Sequence, residues 1–126
     1  MNGEAFHLED EYHSLGNDYY RIGDIDQAIE HYSRAIEVRP DHLESYFNRG
    51  LAYTRKKEFL KAIEDHTKVI EIKPGLAEAY YTRGLIHEYV ENYEKAGNDY
   101  QTALDLDPEY ESAMEQLEEV MKKKKS

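Results

Sequence analysis

The chain has 126 residues, enough for one compact domain and too few for two ordinary ones. Lys and Arg number 16 against 27 Asp and Glu, a formal net charge of −11, and that sign argues against a nucleic-acid binder. With no Cys, disulfides, thiolate metal sites and a cysteine nucleophile are excluded. Leu, Ile, Val and Phe make up just under a fifth of the chain, the level at which a highly charged sequence begins to look disordered. Twelve Tyr supply part of the missing apolar surface. No stretch approaches ~18 uninterrupted apolar residues, so no membrane insertion is expected. The start, Met1 to Phe6, has neither the basic nor the apolar region of a signal peptide, and the expected location is cytoplasmic.

After a short extension (residues 1–8), the chain repeats itself every 34 residues. Tyr12, Tyr46 and Tyr80 form one column; Gly16, Gly50 and Gly84 form a second. Ala28, Ala62 and Ala96 are a third, and Pro40, Pro74 and Pro108 a fourth. The copies run 9–42, 43–76 and 77–110, and each reads as two helices. In the second, Tyr46, Gly50 and Tyr53 share one face of a helix from about Glu44 to Lys56, and Ile63, His66, Val69 and Ile70 share a face of the next. Basic Arg55, Lys56 and Lys57 suit the negative end of the first helix dipole, and Pro74 stops the second helix. The Gly and Ala columns are expected to face each other and let paired backbones approach closely. One hairpin cannot bury its apolar face alone, so stacking of the three copies supplies the core.

The motif pattern resembles the tetratricopeptide repeat family over residues 9–110. The first copy carries Tyr12, Leu15-Gly16, Tyr19, Ala28, Tyr32, Ala35 and Pro40; the others follow with Arg49-Gly50 and Arg83-Gly84 where the family has Leu-Gly. Further departures are His87 for Tyr, His66 for an aromatic, and Gly97 where the other copies have Ile29 and Ile63. The resemblance implies an all-α, right-handed superhelical solenoid of three antiparallel helix pairs. After Pro108 the period fails, and residues 111–126 read as a capping helix with Met114, Leu117, Val120 and Met121 on one face. The run Lys122–Lys125 reads as a cationic, soluble helix end, with a nuclear-import or surface tag as the other reading. Seven helices and no strands are expected.

No catalytic or metal constellation stands out, and neither enzymatic activity nor a cofactor is expected. The six His show no His-Glu-x-x-His spacing, and there is no nucleophile elbow, phosphate-cradling loop or calcium loop. His66 and His87 stand in aromatic columns, where packing plus one hydrogen bond explains them. Asp24 and Asp26 sit at a helix start, where acids cap and complement the dipole.

The family resemblance also implies a concave groove lined by the first helix of each pair, taking extended peptides or partner helices. Candidate groove residues by helical spacing are Asn17, Tyr20 and Arg21 in the first copy, with Asp10, His13 and Ser14 beside them. The second contributes Phe47, Asn48, Leu51 and Arg55, with Glu44 and Thr54; the third contributes Tyr81, Leu85 and Tyr89, with Glu78, Thr82 and Glu88. Phe47, Leu51, Tyr81, Leu85 and Tyr89 are expected to form an exposed apolar strip, a mark of interaction sites. Asn48 resembles the residue that holds a ligand backbone through a bidentate amide in peptide-binding members. Chaperone adaptors of the family clamp an acidic C-terminus with cations and Asn; the matching positions here are His13, Asn17, Asn48, Glu78 and Thr82, with every cation lost. Replacing attraction by repulsion at about 4 Å costs up to about 4 kcal/mol at an effective dielectric near 20, which argues against that ligand. The first and third copies are acidic around a near-neutral middle. The expected function is therefore a scaffold or adaptor binding a peptide with apolar anchors and neutral or basic flanks, as a monomer or weak homo-oligomer. The alternatives are a self-associating repeat domain and a regulatory fragment of a larger assembly.

Overall fold

A computed structural model describes residues 7–125; the greater part of the expected extension 1–8 lies outside the described residues. Seven helices follow one another among the described residues: α1 (Leu8–Arg21), α2 (Ile25–Val38), α3 (Leu43–Arg55), α4 (Phe59–Ile72), α5 (Ala77–Tyr89), α6 (Tyr93–Leu106) and α7 (Glu111–Lys125). There is no strand among the described residues. Each helix packs on its neighbours in sequence, and α1 also touches α3, so the first helices of successive pairs share one side of the solenoid. Asp24 and Asn92 cap α2 and α6 by accepting hydrogen bonds from the backbone N–H groups of Gln27 and Lys95. Between paired helices the chain turns through a left-handed residue, Gly23, Lys57 or Glu91 in the three copies. Only the first uses the residue type that adopts this geometry without steric cost.

The atoms nearest to each Gly of the column belong to an aromatic ring rather than to the Ala. A Cβ on Gly16 would stand 2.5 Å from the Tyr32 ring; on Gly50, 2.7 Å from His66; on Gly84, 2.7 Å from Tyr100. Each Gly is instead roofed by the aromatic position of its own second helix, because a flat ring laid across a helix needs bare backbone beneath it. The Ala column is fully buried. Ala28 and Tyr32 close on Ala52 of the next copy, Tyr46 and Val69 close on Ala79, and Ala96 and Tyr100 close on Val120 of α7. Each cluster spans a junction between successive units, so the junctions carry the apolar burial that a lone hairpin lacks.

The period also continues past Pro108. Ser45, Ala79 and Ala113 are spaced 34 apart and fully buried; Ala52, Ile86 and Val120 form a second buried column. These are the positions that face the preceding unit. The columns lost in α7, Met114 for Tyr and Glu118 for Gly, are those that meet the second helix of the same unit in the three copies. Helix α7 packs on α6 as a first helix packs on the unit before it.

Arg49 and Arg83, the departures from Leu, have a shared structural role. Arg49 Nε and Nη2 donate to both Asp65 carboxylate oxygens at 2.8 and 2.7 Å, and Nη1 donates to Ser33 Oγ at 3.0 Å. Arg83 repeats this on Asp99 at 2.8 and 2.8 Å and on Thr67 at 3.1 Å. Each guanidinium thereby ties three helices and two copies together. Burial pushes the Asp65 carboxyl up from its ordinary value, and the two Arg49 bonds pull against that shift. In the first copy Leu15 and His31 stand at these positions, so the pair is not repeated there.

Candidate functional site

The groove face is built from α1, α3 and α5, with α7 closing one end. At its centre Asn48 Nδ2 donates to His13 Nε2 at 2.8 Å and lies 3.4 Å from Asn17 Oδ1, which also accepts the Tyr32 hydroxyl. Asn48 therefore does not offer the free bidentate amide expected for it; its donor already bridges α3 to α1. The Asn48 side-chain carbonyl and the Asn17 amide N–H groups have no partner among the described residues. Burial, followed by the neighbouring His42, pushes the His13 imidazole below its ordinary value, so near pH 7 its Nε2 accepts the Asn48 hydrogen bond. His42 is buried, with Nδ1 2.7 Å from Ser45 Oγ and Nε2 3.1 Å from Asp10 Oδ1.

The expected apolar strip is partly structural. Phe47 sets its ring against His66 at a centroid distance of 5.1 Å, and Tyr81 packs on Tyr100 and Tyr110 at 5.8 and 5.0 Å. Leu51 is half-buried, leaving Leu85 at 36% and Tyr89 at 66% as the exposed members. The cations are also engaged. Arg55 lies over the Tyr20 ring at 5.0 Å, and Arg21 pairs with Asp18. A third cation, unanticipated from sequence, enters the face: Lys123 Nζ donates to Glu88 at 2.9 Å, and Glu88 also accepts the Tyr100 hydroxyl at 2.7 Å. One residue of the Lys122–Lys125 run thus joins the cap to the groove wall.

Two hollows open on this face. One of about 250 Å³ is walled by Leu43, Phe47, Leu76 and Ala79, with Glu44, Asn48 and Glu78 at its edge. The other, about 430 Å³, is formed by Leu85, Glu88 and Tyr89 with Gln116 and Lys123 of α7.

His66 and His87 do not make the single hydrogen bond expected of each. Both His66 ring nitrogens and His87 Nδ1 are buried without a partner among the described residues. Burial, helped by Arg83, lowers the His66 pKa to about 4, so the ring is neutral at pH 7. His7, Glu9 and Asp10 bring possible metal-ligand atoms within 4.8 Å of one another. Glu9 also faces Arg39 at 3.6 Å and Asp10 faces His42, and acids in the first turn of α1 suit the helix dipole, which accounts for the grouping.

The chain matches the TPR repeat family over residues 16–57 and the tetratricopeptide repeat over 43–76 and 77–119. It belongs to the tetratricopeptide repeat family. Tetratricopeptide repeat domains are generally non-catalytic interaction modules, and this one is a protein–protein interaction domain in that sense. Among solved structures, it resembles the first tetratricopeptide domain of Spaghetti (RPAP3) bound to the HSP90 peptide SRMEEVD, at 27% identity over 94% of both chains and a TM-score of 0.88. The Arabidopsis OM64 tetratricopeptide domain is 27% identical over 90% of this chain and 94% of its own, with a TM-score of 0.84. MamA, at 24% identity over 94% of this chain and 69% of its own and a TM-score of 0.88, shares the fold. No curated protein matches the chain in sequence. Within this tetratricopeptide array no helix among the described residues is long and apolar enough to cross a membrane.

Proposed function

We propose that the chain is a scaffold or adaptor domain that binds an extended peptide segment along the face of α1, α3 and α5. The observation that carries this reading is the juxtaposition at the centre of that face. Spare hydrogen-bonding groups on Asn17 and Asn48 lie beside an apolar hollow walled by Leu43, Phe47, Leu76 and Ala79. Backbone polar groups of a ligand need such partners, and its side chains need such hollows. The RPAP3 neighbour, which holds a peptide, supports use of this fold for an extended segment. Its acidic ligand does not carry over, because His13, Glu78 and Thr82 stand where clamp cations are needed. A peptide ending in Glu-Glu-Val-Asp is expected to bind no better than about 1 mM, roughly −4 kcal/mol.

The test is a peptide-array screen followed by amide chemical-shift mapping of the hits on the full chain. Shifts are expected on α1, α3 and α5, around Asn17, Asn48 and Leu85. Tyr89→Ala, chosen because its ring is exposed, is expected to weaken binding by about 1–2 kcal/mol. Shifts confined to α2, α4 and α6 would overturn the groove reading.

A further inference from the structure

We propose that the hollow between the starts of α3 and α5 receives a Lys or Arg side chain of the bound segment, so that the groove selects a basic residue at one fixed position. This rests on the groove reading above and narrows it. The walls are apolar, from Leu43, Phe47, Leu76 and Ala79, while the edge carries two carboxylates, Glu44 and Glu78. That arrangement suits a side chain with an aliphatic stem and a cationic head, because the stem takes the walls and the head stays in water beside the acids. A purely apolar side chain would leave both carboxylates unused, and an acidic one would be repelled.

Glu44 and Glu78 are equivalent positions one repeat apart, and Asp10 continues the same column on α1. Glu44 is exposed and lies 3.8 Å from His42; no Lys or Arg pairs with either glutamate among the described residues. The competing explanation is that both acids merely complement the helix dipoles, since each sits in the first turn of its helix. Magnitude decides between them. A helix N-terminus carries roughly half a positive charge, so two ends offset about one of the two negative charges. The remainder still favours a cation and disfavours the acidic C-terminus held by the RPAP3 neighbour.

The test pans the full chain against random twelve-residue peptides on phage. The strongest synthetic hit is then titrated in capped form, with its basic residue as Lys, Met or Glu. Lys or Arg is expected at one position of the selected peptides, and Lys→Met is expected to weaken binding about five- to tenfold, less at high salt. Glu44→Gln/Glu78→Gln, which alters only exposed groups, is expected to erase the Lys-over-Met preference while leaving the circular dichroism spectrum unchanged. Selected peptides that shift groove amides without a basic preference would overturn this inference alone. A preference that survives in the double variant would do the same by placing the recognition elsewhere. Absence of any peptide binding on the α1, α3 and α5 face would overturn both this inference and the groove reading.

Discussion

His66→Phe should make folding stability less dependent on pH, and the size of the effect follows from where the imidazole sits. It is fully buried over Gly50, edge-on to Phe47, with neither nitrogen hydrogen-bonded. Burial and the nearby Arg83 lower its pKa to about 4, against about 6.5 in the unfolded chain. As pH falls below 6.5 the unfolded chain takes up the proton first, so stability drops between pH 6.5 and 4 and is level for this group below that. A pKa lowered that far corresponds to about 3 kcal/mol in all, of which about 1 kcal/mol is lost between pH 7.5 and 5.5. That upper window is the useful one, because it stays above the pI of about 4.9 and leaves most carboxylates ionised. Phe fits the site, since Tyr32 and Tyr100 occupy the same column over Gly16 and Gly84. It also removes two unpartnered nitrogens, so the variant should match or exceed the parent at pH 7.5. Urea unfolding followed by circular dichroism at the two pH values gives the difference directly. His13 and His87 are lowered by burial in the same direction and remain in both proteins, so they cancel. Equal losses of stability in parent and variant would refute the assignment of His66 as a buried neutral group.

Gly84→Ala should destabilise by about 1–3 kcal/mol, because the new methyl meets Tyr100 at 2.7 Å, whereas Gly97→Ala should stabilise by up to about 1 kcal/mol, since its nearest neighbour is Val120 at 3.5 Å. Melting temperatures moving in opposite directions check the pair. Arg83→Met should cost about 3–5 kcal/mol by stranding buried Asp99, and the double change Arg83→Met/Asp99→Leu should recover most of it in urea titrations. Deleting residues 111–126 should uncover Ala96 and Tyr100 and cost several kcal/mol or produce self-association, read by urea midpoint and size-exclusion elution.

The fold was legible because a repeat writes its contacts several times over. A column of Gly or Ala seen once is weak evidence; seen at 16, 50 and 84, it reports a geometric demand imposed by the stacking itself. What the columns do not report is which residue lies nearest, and at Gly50 it is the His66 ring. The Arg49–Asp65 and Arg83–Asp99 pairs were visible in principle, since each acid follows its Arg by the same interval in two copies. Their third contacts, to Ser33 and Thr67, lie in the preceding copy, where a hydroxyl carries no sign of being chosen. Groove residues are less legible for a related reason: a face that meets solvent or a ligand is free to differ from copy to copy. Asn17 stands where the next two copies have Leu51 and Leu85, and Asn48 shares a column with Ser14 and Thr82. Helical spacing finds that face, but it cannot show that Asn48 has already spent its donor on His13, because the partner lies 35 residues away on another helix. The divergence of this face within an otherwise constant frame follows from that: identical columns set how the units stack, and the differing ones are free of that demand. Glu44 and Glu78, like Leu51 and Leu85, repeat from the second copy to the third on the open face, and there stacking makes no demand for charge.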